Sequence, residues 1–397
     1  MPTFDHWLLP EGIEEVLPPQ AWRLEQVRRR LFDLYRSWGY ELIVPPLLEY
    51  LEPLLTGAGN DLDLQTFKLT DQLTGRLMGI RADITPQAAR IDAHQLKRDV
   101  PVRLCYLGTV LHTRPDGFAG SRAPLQLGAE LFGHAGIESD VEIVLLMLET
   151  LAATGVQNIH LDVGHVGIFR GLAHQAGLDR SQETALFGAL QRKALPEIRE
   201  LVASFPITER QREQLTGLAE LHGSDEVLDQ ARQMLQDAGP KVQGALNNLQ
   251  DIATAVRRRN PELPLYYDLA ELRGYHYHTG FLFAAFIDGV GQEIARGGRY
   301  DDVGRIFGRA RPATGFSTDL KILILVSADQ DVVSERRIFA PAEQDRELQA
   351  VIDSLRDEGE SVVCLLPGQV GGPREMGCDR QLVHEKGGWK VVELVKD

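Results

Sequence analysis

Apolar positions along the chain alternate between helical and strand-like spacing, and this alternation predicts most of the elements. Behind Pro18-Pro19, Leu24, Val27, Leu31, Leu34 and Trp38 recur at helical spacing and stop at Gly39. Strand-like runs follow at 40–44, 76–81, 102–107, 124–132 and 158–163, with an apolar helix over 140–154 that ends at Gly155. From 166 to 259 the pattern is almost wholly helical. Thr208 with Gln211 forms a capping box, and Ser224 is the expected N-cap before Val227, Leu228 and Leu235. Strand patterns return at 265–269, 281–287 and 292–295, and a helix is expected over 316–326. Hairpin-like spacings predict an α+β core with a mostly antiparallel sheet, interrupted by a helical insertion at about 170–260.

Residues 327–335 are polar and patternless, as a linker would be. Beyond them a strand at 337–340, a helix at 343–358 ending at Gly359, a strand at 361–366 and a hairpin around Gly387-Gly388 predict a small α/β module. The expected domains are therefore 1–326 and 336–397.

Composition narrows the function classes. The 397 residues are 43% hydrophobic and 25% charged, as in ordinary globular proteins. No apolar run approaches the roughly 18 residues of a membrane helix, and no secretory signal is visible, so a cytoplasmic protein without a membrane partner is expected. Cys105, Cys364 and Cys378 are odd in number and scattered, as reduced thiols would be. A net charge of −15 argues against a nucleic-acid binder; the basic runs 28–30 and 257–259 read as solvated helix faces or ends.

The chain carries no phosphate-loop, HExxH or GxSxG motif. His160 and His165 read as structural, and neither metal nor cofactor is expected. The densest chemistry lies in ELRGYHYHTG at 271–280, which joins Arg273 to Tyr275, His276, Tyr277 and His278. ARGGRYD at 295–301 follows, with a glycine pair where backbone must approach something closely. The residues alone predict a polar, aromatic pocket near Arg273.

These two motifs resemble the signature of histidyl-tRNA synthetase, and the likeness extends over about 9–326. GYELIVPPLLE at 39–49 is similar to class II motif 1, whose proline (Pro46) lies at the dimer interface. IRADITPQAAR at 80–90 stands at the family's LRPEGT segment, 104–133 at motif 2 and its loop, and GFSTDLKIL at 315–323 at motif 3. The resemblance implies a class II aminoacyl-tRNA synthetase-like antiparallel sheet with flanking helices. It also implies a histidine pocket of Asp83, Thr85, Gln126, Glu130, Arg273, Tyr277 and His278. There Asp83 replaces a glutamate for the α-ammonium, and His278 replaces a second tyrosine.

The positions that would grip ATP differ. The motif 2 arginine falls at His112 and the acidic residue after it at Arg114. The motif 3 arginine falls at Ile322, preceded by Lys321. Loss of one comparable stabilising donor typically costs ~10²–10³ in rate, so aminoacylation and any catalytic residue are expected to be gone. A pocket kept without its ATP grip, with a shortened C-terminal module, resembles the regulatory subunit family of ATP phosphoribosyltransferase. That resemblance implies a dimer that joins a short-form catalytic subunit in a hetero-octamer. It also implies activation of that subunit, feedback inhibition by L-histidine in histidine biosynthesis, and no tRNA ligand. The alternatives are an active or divergent synthetase-like ligase and a tRNA-binding or structural relative.

Overall fold

The computed structural model describes residues 7–55, 60–115, 120–271, 277–328 and 336–394. The chain divides into two compact units, Met1–Gln330 and Asp331–Asp397. The first is built on a nine-stranded sheet. Its spatial order is Glu41–Leu42, Val102–Thr109, Leu125–Phe132, Ala313–Asp319, Ala295–Arg299, Phe281–Ile287, Ile159–His165, Leu265–Asp268 and His222–Gly223. All neighbours are antiparallel except the pairs made by 41–42 with 102–109 and by 159–165 with 265–268. This is the expected α+β, class II-like architecture of a sheet with flanking helices.

Two helices supply much of the core. Gln20–Ser37 buries Val27, Leu31 and Tyr35, and Ile137–Ala153 buries Ile143, Val144, Leu146, Met147 and Leu151. Between 166 and 259 the regular elements are helices joined by short connections, apart from the two-residue strand at 222–223. The Thr208–Gln211 capping box forms in both directions.

Three expectations need correction. The helix expected over 316–326 is a strand, Ala313–Asp319, followed by a helix, Leu320–Val326. The strand lies between 125–132 and 295–299, and its first four residues are all buried, so it lacks the alternation that marks a half-exposed strand. Asp319 ends it and caps the helix, accepting from the Lys321 and Leu125 backbone N–H groups at 3.0 Å each. The strand expected at 292–295 lies at Ala295–Arg299, so the glycine pair is inside the ladder. A Cβ at Gly297 would run into the Gly315 carbonyl and the Phe283 ring, which is the close approach its sequence predicted. Ser224 is not an N-cap: Asp225 takes that position, and the Ser224 hydroxyl donates to the Glu226 carboxylate instead.

The second unit has a four-stranded sheet in the order Ser361–Cys364, Arg337–Ala340, Arg380–Glu385, Gly388–Glu393. The helix Arg346–Asp357 packs Leu348 and Ile352 with Ile338, Ala340, Leu382 and Trp389. Trp389 Nε1 donates to Asp345 Oδ2 at 2.6 Å, tying the hairpin to the helix N-cap. The hairpin turns at Gly387 and Gly388, whose φ values of 122° and 112° favour glycine.

Candidate functional site

The expected pocket residues converge on the central strands. Leu125–Phe132 places Gln126, Gly128 and Glu130 on one face, since side chains alternate along a strand. Gln126 Nε2 donates to Asp83 Oδ1 at 2.7 Å, and Gln126 Oε1 accepts from the Ile84 backbone at 2.8 Å. Asp83 Oδ1 also accepts from the Thr85 N–H at 3.0 Å, where the helix Thr85–Arg90 begins. Asp83 and Gln126 thus orient one another.

Glu130 is placed deeper than its sequence position implied. It is 1% exposed, and both oxygens are taken by phenols that the sequence did not single out. Tyr106 donates to Oε1 at 2.8 Å, and Tyr300 donates to Oε2. Tyr106 stands opposite Gly128 in the ladder, so it reaches Glu130 diagonally. A Cβ at Gly128 would meet the Tyr106 hydroxyl at 2.5 Å, and one at Gly315 would overlap the Glu130 carboxylate. Glycine at both positions makes room for the network. Thr85 Oγ1 lies 3.0 Å from the Tyr106 hydroxyl, joining the Asp83 end to the Glu130 end. Burial pushes the Glu130 carboxyl up to about 8, and the Tyr106 and Tyr300 phenols well above their usual range.

Tyr277 and His278 lie beside this network. The Tyr277 ring packs on Tyr300 with centroids 5.1 Å apart, and His278 meets Tyr277 edge-on. Burial holds His278 down to about 4, so its ring is neutral at pH 7. Tyr277 Oη and His278 Nδ1 are buried polar atoms without a hydrogen-bond partner among the described residues, an arrangement that is costly unless something else satisfies them. The segment is anchored through Thr279, whose N–H donates to the Arg299 carbonyl at 2.7 Å. The Arg299 guanidinium in turn donates to Asp140 Oδ2 and Ser139 Oγ, at 2.8 Å each. Arg273, Tyr275 and His276 lie outside the described residues.

The positions corresponding to an ATP grip have other occupations. His112 is 9% exposed and its Nε2 lies 2.9 Å from the Ala82 carbonyl. Lys321 donates to the Ala123 carbonyl at 2.8 Å and to Glu14 at 3.3 Å. Ile322 packs against the main core, and Arg114 is exposed. Two neighbouring guanidiniums are committed to structure. Arg81 donates to the Thr109 and Pro45 carbonyls, and Arg122 to those of His112 and Glu11. His160 stacks on Phe286, and His165 Nδ1 accepts from the Gly167 N–H at 3.0 Å. Among the described residues, no group of three or more metal-ligating side chains is assembled, and no helix is long and apolar enough to cross a membrane.

Residues 12–323 match the family model for histidyl-tRNA synthetase, and 335–392 match that for the ATP phosphoribosyltransferase subunit HisZ C-terminal domain. The chain is 60% identical to the ATP phosphoribosyltransferase regulatory subunit of Thioalkalivibrio sulfidiphilus, covering 99% of this chain and 100% of that protein. It is 57% identical to the counterpart from Alkalilimnicola ehrlichii, over 98% of this chain and 97% of that one. Among solved structures it resembles an ATP phosphoribosyltransferase regulatory subunit/histidyl-tRNA synthetase from Bacillus halodurans. That likeness has a TM-score of 0.83 and 26% identity, over 93% of this chain and 96% of that one.

Proposed function

The chain belongs to the family of ATP phosphoribosyltransferase regulatory subunits, and from that premise we propose that it is the histidine sensor and activator of a short-form catalytic subunit. Two such chains form a dimer, and four join four catalytic subunits in a hetero-octamer that does not engage tRNA. L-histidine enters the cleft bounded by Asp83, Thr85, Gln126, Tyr277 and His278, with Arg273 for its carboxylate. Asp83 Oδ1 is already engaged by Gln126 and Thr85, which leaves Oδ2 to receive the α-ammonium. Glu130 acts from behind, holding Tyr106 and Tyr300 in place.

The observation that carries this reading is the pair of buried polar atoms, Tyr277 Oη and His278 Nδ1, that have no hydrogen-bond partner among the described residues, beside the network of Asp83, Gln126, Thr85, Tyr106, Glu130 and Tyr300. Such atoms suit the donors and acceptors of an imidazole. The occupations of His112, Lys321 and Ile322 support a sensor over an ATP-using ligase. Histidine regulates by binding two arrangements of the assembly unequally, with a coupling of ~1–3 kcal/mol.

Calorimetric titration with L-histidine in the absence of nucleotide tests the site. Saturable binding is expected, weakened about tenfold in Tyr277→Phe by loss of one hydrogen bond. Mixing with a short catalytic subunit is expected to raise phosphoribosyl transfer, and histidine to suppress it through this chain. Unaltered histidine inhibition with Asp83→Ala would overturn the assignment.

A further inference from the structure

A second cleft lies between the helices Val166–Gln175 and Pro240–Arg259, and its lining includes none of the residues assigned to the histidine site. It holds about 570 Å³, within the ~300–1,000 Å³ of small-molecule sites. The chain as a whole carries −15, yet this lining reverses the balance: Arg170, Lys241 and the exposed His174 face a single carboxylate, Glu183. One wall is polar and largely buried, formed by Asn248 and by His165, which is 9% exposed.

Gly244 is the feature that packing does not explain. It stands exposed inside a 20-residue helix, where glycine costs about 1 kcal/mol relative to alanine. A Cβ there would meet nothing within 4 Å, whereas one at Gly171 on the facing helix would meet Val242 at 2.6 Å. Packing therefore requires Gly171 but not Gly244. What Gly244 provides is open space between Lys241 and Asn248, two helical turns apart on the same face.

We infer that this cleft binds a small organic phosphate of nucleotide monophosphate size. Arg170 and Lys241 meet the phosphate, His174 adds a donor at the rim, and Asn248 takes the hydroxyls of the organic part. Arg and Lys suit a phosphate by geometry and point charge respectively. The inference stands apart from the histidine reading and survives its failure.

Titration of the full chain with AMP and with inorganic pyrophosphate, followed by calorimetry, tests it. Saturable binding is expected, weakened at least about tenfold in Lys241→Glu and in Gly244→Leu. Gly244→Leu replaces a helix-weakening residue at an open position, so its melting temperature is expected to hold or rise; lost binding is then blockade of the cleft. Asp83→Ala is expected to leave the affinity unchanged. Absence of saturable binding of either probe to the parent chain, or parental affinity in both cleft variants, would overturn the inference.

Discussion

Glu130→Gln isolates the proton held at the centre of the site. Burial raises the Glu130 carboxyl from 4.5 to about 8 in the folded chain, so between those values the native state keeps a proton that the unfolded chain has released. Stability from this group is complete below the unfolded value and is lost as pH climbs towards the folded one. The slope in that window is about 1.4 kcal/mol per pH unit, or about 5 kcal/mol across it, comparable with the ~5–15 kcal/mol of a whole domain. A glutamine is neutral at every pH and can still donate to a tyrosine oxygen, with Tyr106 turning its own hydrogen to Thr85 across 3.0 Å. Urea unfolding of both proteins from pH 5 to 9 should show the parent falling relative to the variant as pH rises, then running parallel above about 8. A constant difference over that range would refute the idea that an uncharged carboxyl sits between the two phenols.

Two further contrasts are expected. Gly315→Ala pushes a methyl into the Glu130 carboxylate and to within 2.8 Å of the Ala129 carbonyl, costing ~1–3 kcal/mol by overpacking and displacing both tyrosines. Gly188→Ala, whose added carbon makes only an ordinary 3.4 Å contact with Arg192 in a helix, should instead stabilise by ~0.5–1 kcal/mol; thermal melts of the two variants check the contrast. Asp92→Ala strands Arg311, its 2.8 Å partner at 9% exposure, and should cost ~3–5 kcal/mol by denaturant titration, whereas Asp33→Ala in the exposed pair with Arg36 should cost under ~1 kcal/mol.

The sequence was most legible where one face of an element meets water. The helix Gln20–Ser37 follows its hydrophobic period and buries Val27, Leu31 and Tyr35. The strands at 102–109 and 125–132 were legible as apolar runs rather than by alternation, the second being buried over its last six residues. Legibility failed in the middle of the sheet. Ala313–Asp319 is buried almost throughout, and the apolar run that follows it in Leu320–Val326 drew the whole stretch into one expected helix. Asp83, Thr85, Gln126, Tyr277 and His278 were named from a family likeness, and the fold gathers them. Tyr106 and Tyr300 were not named, although Tyr300 lies within ARGGRYD. Their role depends on a diagonal reach across the ladder and on a neighbouring glycine, and neither relation has a signature in local spacing. Arg299 escaped for the same reason, since its partners Ser139 and Asp140 are about 160 positions away in the chain.

Gly128, Gly315 and Gly298 sit on three successive strands, and at each a single added carbon would collide with backbone or with a pocket side chain. Such a floor cannot drift gradually. Replacing any one of these glycines demands a simultaneous change in its neighbour, so substitutions here should arise in linked pairs across strands rather than one at a time.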